Sequence, residues 1–277
     1  MQKILIRKAG GDLEPFDPGK LIQSLQKAGA KEPDILKIVA EVEGKIREGM
    51  TTQDIYKYAF ALLRKLARPV AARYSLKRAV MDLGPSGCPF EDFVAEIFRA
   101  KGYTAKTRQQ VKGACVTHEV DLFAENKDRL IIGEAKFHNQ LGTKSDLKVA
   151  LYVGARIEDI RKKTAATGDR RTVEGWLITN TKFTRSAVDY ANCVNLNLIS
   201  WSYPRYGNLH DLIQETQVHP LTALTSLTRL EKNTLMEKGV VLCRSIEDNR
   251  RQLELLGIPP KRIATILAEG GEVCQPF

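Results

Sequence analysis

No stretch of this sequence approaches the roughly 20 consecutive apolar residues that a membrane-crossing helix requires. A helical membrane protein is therefore excluded. The opening Met1-Gln-Lys-Ile-Leu-Ile-Arg-Lys8 is strand-like and lacks the apolar core and cleavage site of a signal peptide. Cysteine is sparse: Cys88, Cys115, Cys193, Cys243 and Cys274 are scattered, odd in number and without CxxC or Cys/His spacing. That pattern argues against a zinc site and makes a reducing cytoplasm the expected location. There is no Gly-Lys-Thr phosphate loop, so ATP is not expected to be hydrolysed as fuel. No Ser/His/Asp or Cys/His constellation supports nucleophilic catalysis, and no internal repeat or low-complexity tract stands out.

What is abundant is positive charge. The formal net charge is +10 over 277 residues, a length suited to roughly two or three domains. A basic balance suits a polyanionic partner. Residues 1–84 carry +6, residues 85–219 carry +3 and the remainder +1. In the middle segment the cations gather at Arg156, Arg161-Lys-Lys163 and Arg170-Arg171, flanking an expected helix. They read either as a solvated helix end or as phosphate-neutralising charges beside a site.

The middle segment also holds the chemistry. His118-Glu-Val-Asp-Leu is followed, thirteen residues past Asp121, by Glu134-Ala-Lys136. Val116–Ala124 and Arg129–Lys136 both read as strands, and Glu125-Asn-Lys-Asp128 between them is turn chemistry, which predicts an antiparallel hairpin. Alternation along a strand points Glu134 and Lys136 the same way. With Asp121 on that face, Mg²⁺ or Mn²⁺ would find hard oxygen ligands in Asp121, Glu134 and the Ala135 carbonyl. Lys136 would orient or help deprotonate an attacking water. Glu119 is read as facing away from Asp121, His118 as approaching the site, and His138 as sharing the face of Lys136 and reaching a phosphate.

This pattern resembles the PD-(D/E)xK nuclease superfamily, and its flanks resemble the Mrr-type restriction endonuclease domain over about residues 85–215. The carriers are Cys88–Tyr103, an amphipathic helix with a Phe-Glu start and a Gly-Tyr end, Gly175–Ala191 with its Phe-Thr turn and Ala-x-x-Tyr-Ala helix, and the strand Asn195–Trp201. The resemblance implies a helix carboxylate near the metal, Glu91 in preference to Glu96, and DNA as the substrate.

Residues 1–83 read as a short strand from Lys3 to Lys8, a turn at Gly10-Gly11-Asp12 and about four helices, with Pro18 and Pro69 opening two of them and Thr51 to Asp54 capping a third. The run Ile6–Ile22, with Glu14-Pro-Phe-Asp17, Lys20 and Val-Ala-x-x-Tyr at 70–74, resembles the ATP-cone, a regulatory nucleotide-binding domain. Lys8, Gly11 and Lys20 are its implied nucleotide contacts, for ATP or dATP in a regulatory role. The family's Arg-Asp after the first lysine is here Ala9-Gly10, and its Arg after the glycine is Asp12, so weakened binding is expected. Gly84-Pro-Ser-Gly-Cys-Pro89 is a short boundary.

From residue 220 a leucine-rich tail predicts a helix pair broken at Gly239, then a helix, tight turn and helix over Leu253–Leu267. The latter distantly resembles a helix-hairpin-helix, but Pro259 stands where a turn amide is needed, so a packing cap is expected. The fold class is α/β: a small, mainly helical ATP-cone-like domain (1–83), a restriction-endonuclease-like mixed sheet flanked by helices (84–219) and a helical C-terminal region (220–277). The function expected is metal-dependent DNA endonuclease activity with a nucleotide-responsive domain, in defence against foreign or modified DNA. The alternative is a non-catalytic, nucleotide-sensing DNA-binding regulator on a degenerate nuclease fold. DNA and a nucleoside triphosphate are the expected partners, with no membrane, and a homo-oligomer is left open.

Overall fold

A computed structural model describes residues 4–8 and 11–274. Lys3 of the expected first strand and the Ala9-Gly10 pair lie outside the described residues. Strands β1 (Leu5–Arg7) and β2 (Leu13–Pro15) pair antiparallel. Helices α1 (Pro18–Lys27), α2 (Glu32–Lys45) and α3 (Thr52–Leu66) follow. Asp17 caps α1 by accepting the Gly19 N–H, and a reciprocal Thr51/Asp54 box caps α3. Leu25, Ile38, Ala59 and Leu63, all fully buried, centre this unit's core.

The helix expected from Pro69 to Leu83 is divided into α4 (Arg68–Tyr74) and α5 (Leu76–Met81). At the break the Ser75 hydroxyl donates to the Ala72 carbonyl at 3.0 Å, the local alternative to helix bonding that serine offers.

After the linker come α6 (Cys88–Ala100), β3 (Thr104–Lys112), β4 (Thr117–Glu125) and β5 (Arg129–Lys136). Next are β6 (Lys144–Ser145), α7 (Leu147–Ala166), β7 (Thr172–Thr179), β8 (Lys182–Phe183), α8 (Arg185–Cys193) and β9 (Leu196–Ile199). The five-stranded sheet runs β3-β4-β5-β7-β9. Its first three strands are antiparallel and its last three parallel. The parallel strands are joined through α7 and α8, which cover one face. Because β5, β7 and β9 run the same way, the segments leaving them emerge at one edge of the sheet.

The other face is closed by α6 and the C-terminal helices α9 (Leu209–Thr216), α10 (Arg229–Glu237), α11 (Arg250–Leu255) and α12 (Pro260–Val273). One hydrophobic cluster joins Leu76, Val80 and Leu83 to Phe90 and Phe93 of α6, Leu122 and Ile131 of the sheet, and Leu235, Leu253 and Ile266 beyond it. Beyond Gly239 the expected second helix of a pair is absent. Gly239 sits at φ +81°, a left-handed helix stop, and the buried Val240-Val-Leu242 run is extended, Leu242 bridging to Pro220. Among the described residues no helix is long and apolar enough to cross a membrane.

Candidate active site

The expected antiparallel hairpin forms. Leu122 lies opposite Gly133, which sets Asp121 opposite Glu134. The backbone ladder ends there, and the Asp121 carboxylate accepts the Ala135 N–H at 2.9 Å. On the other side of Asp121 the β3–β4 ladder is also interrupted, at Arg108, whose φ of 53° is left-handed. The Arg108 guanidinium reaches back to α6, donating to Glu91 at 3.0 Å and Asp92 at 2.8 Å. The aspartate thus sits where both ladders open, with α6 strapped alongside.

The three acidic groups share one electrostatic field. Burial raises the Glu134 pKa, and the charge of Asp121 raises it further, against the pull of Arg156 and Lys136. Burial likewise raises Asp121, opposed by the Ala135 N–H, Arg156 and Lys136. Glu91 is raised by burial and by Asp121, with Arg108 opposing. Asp121 is thus near enough to Glu134, to Lys136 and to Glu91 for its charge to act on each. No group of three or more His, Cys, Asp or Glu side chains among the described residues is arranged to hold a metal ion.

The other residues singled out in the sequence have partners of their own. Glu96 pairs with Arg99 at 2.5 Å and Arg244 at 3.1 Å, tying α6 to the C-terminal region. His118 faces Asp159 of α7 at 2.8 Å, and Asp159 also accepts the Cys115 and Val116 amides. The imidazole therefore fixes a loop to α7. His138 shares its Nε2 with Ser145 Oγ at 2.9 Å, while its backbone exchanges hydrogen bonds with buried Asn180. Asn180 also reaches Met81 of α5 at 3.1 Å. Glu119 accepts from the Gln110 side chain at 3.5 Å, and its charge is near enough to raise Asp121.

The basic cluster is largely committed within the fold. Arg171 binds Asp169 and Glu125, and Arg161 donates to the Val173 and Asn195 carbonyls. Arg156 is the site residue that its reading as one of a cluster concealed. Only 9% exposed, it donates to Glu134 at 2.5 Å and to the Tyr152 hydroxyl at 2.8 Å. The signal was present in the sequence: Arg156 lies three residues past Val153 and directly before Ile157, a cation on the buried stripe of a helix.

In the N-terminal unit Lys8 and Lys20 converge on Glu14, at 2.6 Å and 3.5 Å. Gly11, at φ +93°, closes the turn in which its N–H meets the Lys8 carbonyl at 2.9 Å. The hydrogen bond from Lys8, aided by the charge of Lys20, holds the Glu14 carboxyl below its ordinary pKa.

Three family models match this chain: the ATP cone domain over residues 4–82, a restriction endonuclease model over 85–203 and an AF1548-like C-terminal model over 219–274. An uncharacterized protein of Archaeoglobus fulgidus is 32% identical over 184 residues, which is 65% of this chain and 99% of that protein. The crystal structure of a protein of unknown function, AF1548, is similar at 30% identity and TM-score 0.55, covering 68% of this chain and 98% of that one. The MspJI restriction endonuclease in complex with a 27-mer oligonucleotide matches 61% of this chain and 36% of its own, at 18% identity and TM-score 0.29. That last likeness is too slight to bear on fold or chemistry. The chain belongs to the family of the uncharacterized archaeal protein, and it joins an ATP-cone domain to an Mrr-type restriction-endonuclease-like domain of the PD-(D/E)xK superfamily and an AF1548-like C-terminal region.

Proposed function

We propose that this protein is a metal-dependent endodeoxyribonuclease whose cleavage responds to a nucleoside triphosphate, acting in the cytoplasm in defence against foreign or modified DNA. Residues 84–219 form the catalytic unit, residues 1–83 the regulatory one, and residues 220–277 the helical cap. The observation that supports the reading is the β4–β5 register, which ends at Leu122 opposite Gly133 and carries Asp121 on toward Glu134, with the Asp121 carboxylate on the Ala135 N–H.

Asp121, Glu134 and the Ala135 carbonyl are the proposed ligands of Mg²⁺ or Mn²⁺. Such an ion supplies Lewis acidity toward the phosphate and lowers the pKa of a bound water. The chain does the rest. The Ala135 N–H fixes the Asp121 carboxylate, and Arg156 fixes that of Glu134. Lys136, exposed at the end of β5, orients the attacking water and offsets the charge that develops on the phosphoryl oxygens. Glu91, held by Arg108, lines the site and accepts the proton released by the attacking water. The direct test is relaxation of supercoiled plasmid by the full chain, expected with Mn²⁺ and absent with EDTA. No relaxation in either condition favours the regulator alternative.

For the nucleotide, Lys8 and Lys20 act as point charges beside the Gly11 turn. ATP or dATP must displace the shared Glu14 contact, so binding is expected at micromolar or weaker affinity. Calorimetry on the full chain should show this binding and its abolition by Lys8→Ala with Lys20→Ala. No heat from the wild type at millimolar nucleotide makes the domain a docking unit instead. The contacts from Met81 to Asn180 to the His138 backbone, two residues past Lys136, offer a route by which it reaches the catalytic edge.

A further inference from the structure

A cavity of about 810 Å³ lies between the N-terminal unit and the segment that follows β9. Its walls include Lys27 of α1 and Lys77 of α5 on one side, and Trp201, Tyr203 and Arg205 on the other. Two properties set it apart from a solvated cleft. The first is cationic character: Lys27, Lys77 and Arg205 are exposed, and among the described residues none of them has a salt-bridge partner. Asp211, the carboxylate in the lining, is occupied by the Gly207 amide and the Asn208 side chain at 3.0 and 2.8 Å.

The second is aromatic character. Lys77 stands 6.0 Å over the Trp201 ring, and Arg205 stands 5.4 Å over that of Tyr206. Tyr206 adjoins the lining and is 76% exposed, an unusual surface position for a large ring held by an arginine.

The topology connects this cavity to the candidate active site. Lys136 ends β5, Lys182 follows β7, and Trp201–Arg205 follow β9, so all three emerge at one sheet edge. Lys144 pairs with Lys182 in register, and Lys182 is near enough to Lys77 for their charges to disfavour each other. Lys136, Lys144, Lys182 and Lys77 are all exposed. A basic path therefore runs from the carboxylate site into the cavity.

We propose that this groove binds a single-stranded segment of nucleic acid, phosphates along Lys77, Lys27 and Arg205 and an unpaired base on Tyr206 or Trp201. The identity of the polymer rests on the nuclease reading. A single strand fits because ring faces recognise unstacked bases, which a duplex keeps stacked inside its helix. The ATP-cone domain then forms one wall of the substrate groove in addition to its nucleotide role.

The test is fluorescence anisotropy of an end-labelled 20-nucleotide single strand with the full chain in EDTA, beside the same sequence as duplex. Lys77→Glu with Arg205→Glu should weaken single-strand binding at least tenfold and flatten its salt dependence by about 1.4 in log–log slope, two phosphate contacts at about 0.7 each. Tyr206→Ala, at a surface position, should cost about tenfold with an unchanged salt slope. Wild-type affinity in both variants overturns the proposal, as does an equal loss for single strand and duplex. Plasmid relaxation measured in parallel separates the two readings. Cleavage without single-strand binding removes the groove and leaves the nuclease, while variant-sensitive binding without cleavage does the reverse.

Discussion

Asp121→Asn is expected to raise the melting temperature of the metal-free protein while abolishing its Mn²⁺-dependent cleavage of DNA. Burial lifts the Asp121 pKa above its ordinary value, and its charge in turn lifts Glu134 and Glu91. Across the window from the ordinary carboxylate range up to the raised value, the folded protein holds a proton that the unfolded chain has released. Stability therefore falls as pH rises through that window, and above the raised value the cost is fully present. Asparagine keeps an oxygen for the Ala135 N–H and removes the charge. Melting curves of wild type and variant with EDTA should differ most at neutral pH and converge as pH falls below the ordinary carboxylate range. Lys136→Ala should slow cleavage by about 10²-fold or more, the scale of losing one charge-stabilising donor, and leave DNA binding in place. A variant less stable than wild type, or normal cleavage by both, would place the chemistry elsewhere.

Arg156→Ala should be the most damaging single change near the site, costing about 3–5 kcal/mol, because it leaves the Glu134 carboxylate partly buried without its cation. The arginine also holds the Tyr152 hydroxyl and lies 4.7 Å from that ring. Removal thus empties a packed position on α7 beside Val153 and Ile157. Urea unfolding read by fluorescence measures the loss. Pairing the change with Glu134→Gln should recover part of it, since the uncompensated charge is then gone. Simple additivity of the two changes would show that Arg156 contributes by packing alone.

How much of this was legible follows from which interactions are local. The hairpin of β4 and β5 is set by turn chemistry, so the pairing of the strands that carry Asp121 and Glu134 could be read locally, while the register between them could not. Helix starts at Pro18, Thr51 and Pro69 were equally local, since a cap or a proline acts within one turn. The partners of the site were not. Arg156 reaches Glu134 from 22 residues away, and Arg108 reaches Glu91 from 17. The commitment of His118 to Asp159 depends on how α7 crosses the sheet. Nor could periodicity show that α5, α6 and the C-terminal helices share one core, because an apolar stripe does not name its partner.

The central claim is that the pair of Asp121 and Glu134 is a metal site. Mn²⁺ titration of the full chain, followed by the loss of the free ion's electron paramagnetic resonance signal, tests it without requiring DNA or turnover. The account predicts saturable Mn²⁺ binding by the wild type that is lost in Asp121→Asn and preserved in Glu96→Gln, which lies among arginines away from the pair. Binding that survives Asp121→Asn unchanged, or no binding by the wild type, would contradict it.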